Sequence, residues 1–480
     1  MTTPTSPGDT TEPAVVPARR RAVGLLVVME FGSGLIQGWY PPLLAAIGTE
    51  FHVTPAQLNW VSTGYLLAAV VCVPLIGRLG DRFGHKRMLT TVAASSALGS
   101  ILVALAPGFG VLLLGHALQA LLLASLPLEF AIVRNRDQMS SSRSIGKLVG
   151  ALTVGAALGG LGSGLAYGAF GALRPALWIP AAFMMLCAPM VWFLVPESSV
   201  RARGRVDLLG ATLLSVGLAA VLGGVSNAST WGWSTAATWC VIAVGGVLLT
   251  AWALVEKRAV DPLVDLAMLR RAGIRLPILV AFLFGAQLYG SQTASSVYLL
   301  NDPAVLGFGL GISPALAGTF VLAQAGAAFV SATNGFRLSA RIGPQATVAL
   351  GAVLGSLSFV ALILVPHSLA VFYAAWVVRG LGNGLVVSTL PAIIVARAPA
   401  DSVGIASALY STARISAGAI AGAVFALVMS SLLMTYTTEG GTQTTTSFAG
   451  YAAVWAICAA LDLVVGALSL LIGRTATRGT

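Results

Sequence analysis

Runs of about twenty mostly apolar residues, the length that crosses a bilayer as a helix, recur fourteen times along the chain. They fall near 22–47, 57–76, 88–106, 110–133, 146–168, 175–195, 208–226, 236–255, 274–300, 313–334, 345–365, 369–395, 404–433 and 449–473. Hydrocarbon offers no water to an exposed backbone N–H or C=O, so each run is expected as a helix and the fold class as an all-α membrane protein. The charge content agrees. Only 9% of residues are charged and 57% are hydrophobic, whereas a soluble domain carries about 25% charged residues. The 55 glycines suit helices that approach one another closely within a bilayer.

Arginine and lysine placement sets the expected orientation. With the N-terminus inside, all but three of the 27 Lys+Arg fall in cytoplasmic segments or at their edges, notably 19–21, 82–87, 134–147, 201–205 and 257–275. The exceptions are Arg174, outside, and Arg379 and Arg414, within helices. The net charge of +11 is therefore a membrane signature rather than a nucleic-acid one. Residues 1–21 read as a polar, disordered cytoplasmic tail and 475–480 as a second tail. The first apolar run lacks a small-residue cleavage site and reads as a retained span. The domain division expected, in line with the family resemblance drawn below, is spans 1–6 (22–195) and spans 9–14 (274–474) as two bundles. Between them, 196–273 holds two extra spans and the segment 256–271, which reads as an amphipathic interfacial helix. Cys72, Cys187, Cys240 and Cys458 each sit in an apolar run at no metal-ligand spacing and read as packing residues. A faint internal echo links His116-Ala-Leu-Gln119-Ala120 with Arg379-Gly-Leu-Gly382-Asn383-Gly384.

Between spans 2 and 3 runs Gly77-Arg-Leu-Gly-Asp81-Arg82-Phe-Gly84-His-Lys86-Arg87. It resembles motif A of the major facilitator superfamily, with His85 at a usually basic position. Trp60 and Tyr65 resemble that family's start of helix 2. Arg205-Val-Asp207-Leu-Leu-Gly210, Trp231-Gly-Trp233 and Asp261-Pro-Leu-Val-Asp-Leu resemble features of its fourteen-span drug:proton antiporters, as does Ser411-Thr-Ala-Arg414-Ile-Ser-Ala-Gly418. The resemblance implies the major facilitator fold, two six-helix bundles plus two extra helices. It also implies a gate in which Asp81 faces the start of span 13 near Ser402, a helix N-terminus that favours negative charge. Motif B keeps Gln119 but has His116 and Ala120 at its Arg and Gly positions. The antiporter motif of span 5 keeps Gly146, Gly155, Gly159 and Gly160 and has Ala156 at its Pro position, which leaves close packing but not the proline bend.

Intramembrane charges are functional candidates by default. Glu30 in span 1 is either protonated or paired with a cation such as Arg414. Glu129 has Arg134 nearby in sequence, an ion pair being as natural a reading as proton coupling. His116 is either a titrating imidazole or a satisfied buried one. Arg379 and Arg414 are candidates to pair with Glu30, with an anionic substrate group or with backbone carbonyls. Asp462, on a span peripheral in the family, has no evident partner. Gln37, Tyr65, Gln119, Gln287, Tyr289, Gln292, Gln324, Trp376, Asn383 and Tyr410 are candidates to line a pocket for an amphipathic molecule.

The reading is a secondary transporter that exports an organic compound by proton antiport and alternating access. It works as a monomer, uses a proton gradient and no cofactor or metal, and sits in a bacterial plasma membrane. Metabolite uptake, or a non-transporting receptor or scaffold, are the alternatives. No HExxH, GxSxG, CxxC or Walker pattern suggests an enzyme. Reporter fusions at Thr2 and Thr480 are expected to give cytoplasmic signals at both ends; a periplasmic signal from either excludes this topology.

Overall fold

A computed structural model describes residues 15–134, 141–195, 207–232, 234–258, 274–397, 403–438 and 441–474. Residues 1–14 of the expected first tail, the second tail, the segment 201–205, most of 256–271, Trp233 and Ser402 lie outside the described residues, as do the side-chain surroundings of Asp81, Arg134 and Gly146, whereas 15–21, expected as disordered tail, are helical. The chain is helical nearly throughout. The first half holds α1 (Val15–Trp39), α2 (Leu44–Phe51), α3 (Pro55–Phe83), α4 (His85–Ala104), α5 (Phe109–Gln119), α6 (Ser125–Arg134), α7 (Ser141–Phe170) and α8 (Leu173–Leu194). A helical hairpin, α9 (Leu208–Trp231) and α10 (Ala236–Glu256), follows. The second half holds α11 (Arg275–Leu300), α12 (Pro303–Leu306), α13 (Pro314–Ile342), α14 (Pro344–Leu364), α15 (Leu369–Arg397), α16 (Val403–Ser431) and α17 (Phe448–Arg474). Ten helices among the described residues are long and apolar enough to cross a membrane.

Local chemistry explains the boundaries. The first span is not one helix over 22–47. It begins at Val15, because arginines at 19–21 are good helix formers, and it breaks at Pro41-Pro42, which cannot donate to the preceding turn. A 3-10 turn (Pro41–Leu43) links α1 to α2. A capping box starts α3: Gln57 N donates to Thr54 Oγ1 (3.2 Å) and Thr54 N to Gln57 Oε1 (2.8 Å). Gly84, at φ 110°, separates α3 from α4; that backbone favours glycine and accounts for the last glycine of the 77–87 motif. Asp207 Oδ1 accepts from Gly210 N (2.7 Å) and caps α9. Pro127 has no N–H for the Leu123 carbonyl, and the stretch just before it tightens into a 3-10 segment, Ala120–Ala124. The apolar alternation of strands is missing from 433–446, yet these residues form an antiparallel hairpin, β1 (Leu433–Thr438) with β2 (Gly441–Thr446), in the register Leu433↔Thr446.

Glycines set the helix pairing. A Cβ at Gly155 or Gly159 of α7 would meet the Phe31 or Leu35 carbonyl of α1, and one at Gly34 or Gly38 of α1 would meet the Leu152 or Ala156 carbonyl of α7. The opposite face of α7 packs on α13 of the other half, where Gly160 meets Val321 and Gly164 meets Pro314. In the second half α11 pairs with α16 (Gly285 on Arg414, Gly290 on Ala421) much as α1 pairs with α7. The internal echo is real in space but one turn away from its sequence register. Gly99 meets Gly115 between α4 and α5, and Gly351 meets Gly382 between α14 and α15. That makes His116 and Asn383, each next to its glycine, the equivalent residues.

The two halves join along α7–α13 and α3–α16, with the α9–α10 hairpin against α3 and α16. On the β-hairpin side of the molecule the join is tight: Asn59 Nδ2 reaches Met429 Sδ (3.5 Å), Ser62 Oγ lies 3.4 Å from Thr293 Oγ1, Thr63 abuts Gly422 and Leu66 abuts Gly418. Gly159→Val should force α1 and α7 apart, lowering stability by about 1–3 kcal/mol or preventing folding. Gly64→Ala, where nothing lies within 4 Å of the added carbon, should hold or slightly raise the melting temperature in detergent, since alanine is the better helix former. Equal melting curves for the two variants would remove the backbone contact from the fold's foundations.

Candidate functional site

Below the tight join, between the two halves, lies a cavity of about 620 Å³. α1, α3, α5 and α7 supply one wall and α11, α13 and α15 the other. The wall is mainly apolar. Gln37, Tyr65, His116, Gln287, Tyr289, Gln292, Gln324, Trp376 and Asn383 are on it. Among the described residues Arg379 is the only charged side chain there. Gln119 and Tyr410 are not on the wall; both are buried behind it.

Gln119 instead organises the first-half wall. Its Oε1 accepts from the Tyr40 hydroxyl (2.7 Å) and lies 2.7 Å from His116 Nδ1. The amide oxygen is acceptor-only, so the network assigns the imidazole hydrogen to Nδ1. Gln119 Nε2 donates to Ser100 Oγ (2.8 Å). The His116 ring packs between Tyr40 (centroids 4.0 Å) and Tyr65 (4.6 Å, near-parallel). His116 therefore has one ring nitrogen bonded to the Gln119 amide and its two faces packed against phenol rings.

Glu30 and Glu129 are fully buried and meet side chain to side chain, just off the cavity wall. Ser125 Oγ donates to Glu30 Oε2 (2.7 Å). Neither Glu129 oxygen has a donor among the described residues. Pairing of Glu30 with Arg414 is not formed. Arg414, on α16, lies over Tyr289 and Tyr410 (5.7 and 5.2 Å to the ring centroids) and donates to the Tyr410 hydroxyl (3.3 Å). Its helix packs along α11 and α3. Glu129's neighbour is likewise a second acid, carried to it by α1.

Arg379 lies over Trp376 (4.6 Å) and Phe359 (5.3 Å) and donates to Gln324 Oε1 (3.2 Å) and Ser295 Oγ (3.4 Å). It is held by side chains, not by backbone carbonyls. Asp462, expected to be peripheral, is fully buried, and its Oδ1 accepts from Gln287 Nε2 (3.2 Å). α17 packs against α11 and α14, which turns this face inward. The Asp462 contact joins residues 175 positions apart, which no local pattern announces.

In the gating motif, Gly80 abuts Leu128, Arg82 lies 5.2 Å from the Phe83 ring centroid and Lys86 and Arg87 open α4. Gly77 has open space beside it. The helix that carries Asp81 packs along α16, the helix that follows Ser402.

A sequence model of the Major Facilitator Superfamily matches residues 26–208 and 208–423. The chain is 28% identical over 407 residues to the tetracenomycin C resistance and export protein of Streptomyces glaucescens, covering 80% of this chain and 71% of that one. It is 28% identical over 383 residues to a triacylglyceride transporter of Mycolicibacterium smegmatis, covering 75% of this chain and 66% of that one. In fold it resembles a POT-family transporter structure with a TM-score of 0.68 at 14% identity, over 96% of this chain and 99% of that one.

Gln119→Leu should strand the Tyr40 hydroxyl and the His116 N–H, at about 1–3 kcal/mol for each buried group left unpaired. Adding Tyr40→Phe should recover part of that loss in chemical denaturation. Strict additivity of the two substitutions would dissolve the network.

Proposed function

We propose, since the chain belongs to the Major Facilitator Superfamily, that it exports an amphipathic organic compound by proton antiport through alternating access. The observation that carries the reading is the Glu30–Glu129 pair, two buried carboxyls in contact, of which only Glu30 is met by a hydroxyl, that of Ser125. Two like charges in such a place cannot both persist, so the pair holds a proton that it can surrender when the site opens. It lies against the cavity wall without being part of it. Substrate and proton therefore act on α1 from different sides, and movement of α1 couples them. The mainly apolar cavity suits a bulky hydrophobic cargo with a few hydrogen-bonding groups. The names of the export protein and the triacylglyceride transporter it resembles point the same way. Arg379 on the wall favours cargo with an acidic or electron-rich group over a cationic one.

In this reading α1, α7, α9 and α11, with 25, 30, 24 and 26 residues, cross the membrane together with the ten spans counted above, giving fourteen. Both termini lie in the cytoplasm of a bacterium, and the working unit is a monomer in the inner membrane. The tight join on the β-hairpin side is then the closed outer gate. The 77–87 motif is at the opposite end, where Asp81, against the start of α16, holds the inner gate in the alternate state.

Glu30→Gln fixes the neutral form and removes the exchangeable proton. In proteoliposomes with an imposed pH gradient, tested with neutral, anionic and cationic amphipathic dyes, it should abolish uphill movement while downhill exchange remains. Accumulation by Glu30→Gln equal to that of the unaltered chain would place coupling elsewhere.

A further inference from the structure

The proposed transport reading uses the acid pair of the first half and leaves Asp462 of the second half without a role. Its surroundings are specific. Gln287 spends both of its amide hydrogens, one on Asp462 Oδ1 (3.2 Å) and one on Asn383 Oδ1 (3.3 Å). A flipped amide would aim its oxygen at those two acceptors, so the network fixes its orientation. Two buried atoms are then left without a partner, one on each side of the contact: Gln287 Oε1 and Asp462 Oδ2. Both are acceptors if Asp462 is ionised. One hydrogen on Asp462 Oδ2 would make that atom a donor, the kind of group that Gln287 Oε1 lacks. The niche is cut to a carboxyl, since a Cβ at Gly355 of α14 would collide with Asp462 Oδ2.

We propose that Asp462 is a second proton-binding site, in which its protonated carboxyl and the Gln287 carboxamide form a closed two-bond pair behind the cavity wall. Gln287 and Asn383 are themselves on that wall, so cargo that draws on either amide loosens the pair. The proton then leaves Asp462 Oδ2 for cavity water, and the carboxylate left behind faces Arg379. Among the described residues the titratable groups around Asp462 are Arg379 on α15 and Cys458 one turn earlier on α17; α11 presents Gln287 and α14 presents Gly355. Arg379 Nε has no partner in this conformation, leaving it ready to take the freed carboxylate. The chain thus carries one proton site in each half, and the second rests on the transport reading only for its purpose, not for its existence.

Infrared spectroscopy of the full chain in phosphatidylcholine vesicles at neutral pH tests the site without any substrate. In a Glu30→Gln/Glu129→Gln background, which removes the other acid pair, a carbonyl band of a protonated carboxylic acid is expected. It should disappear in Asp462→Asn, which keeps the shape and can still pair amide to amide. It should move to higher wavenumber in Gln287→Leu, which removes the carboxamide. No band lost in Asp462→Asn means an ionised Asp462 and overturns the proposal, as does a band indifferent to Gln287→Leu. Should Asp462→Asn fail to fold, the Gln287→Leu comparison decides alone. If the band is present in that background but the unaltered chain, with all its acids, moves no dye up a pH gradient, the transport reading is overturned instead.

Discussion

Helices surrounded by hydrocarbon gain little from hiding apolar side chains against one another, because lipid is as apolar as leucine. What remains is close contact, and this chain obtains it by setting glycine against the neighbouring backbone. Gly34, Gly38, Gly155 and Gly159 let α1 and α7 run with carbonyl oxygens where side chains would otherwise stand. Everything at the site follows from that approach. α1 is held close enough for Glu30 to meet Glu129, and the opposite face of α7 remains free for α13 of the other half. A backbone-to-backbone contact is also rigid, since no rotamer can relax it. The bundles therefore behave as solid bodies, and motion is left to the surfaces between them.

The buried charges divide by what answers them. Arg414 and Arg379 are answered by aromatic faces and neutral oxygens. The acids are answered by a hydroxyl, by one another or by an amide. The Arg174–Glu50 ion pair, at 3.8 Å, is by contrast an exposed one, of the kind that contributes about 0–1 kcal/mol. Carboxyls met by neutral donors, as Glu30 and Asp462 are, retain the ability to change protonation state.

Much of the fold was legible because the bilayer imposes a length: apolar runs of the right size marked the long helices to within a few residues. The break at Pro41-Pro42 was legible in principle from proline chemistry, although the apolar run continues through it. The Thr-rich hairpin was not, for 433–446 lacks the alternation that advertises a strand. The interior partnerships were the least legible. Glu30 and Ser125 are 95 positions apart, and whether two such residues meet depends on helix rotation, which a run of apolar letters does not encode. Arg414 was the natural cation for Glu30 by composition; α16 turns it to the tyrosines instead. Asp462 seemed peripheral because its helix is, yet one face of a peripheral helix still looks inward.

The β-hairpin between α16 and α17 has a mechanical consequence. It is a hydrogen-bonded ladder rather than slack chain, anchored at its base where Ser447 N donates to the Leu432 carbonyl (2.8 Å) and Thr446 Oγ1 to that of Met429 (3.3 Å). α16 presses on α3 of the first half, while α17 carries Asp462. A strut of this kind transmits torque: in the proposed transport cycle, a roll of α16 off α3 would turn α17 with it, the two helices swinging as one crank.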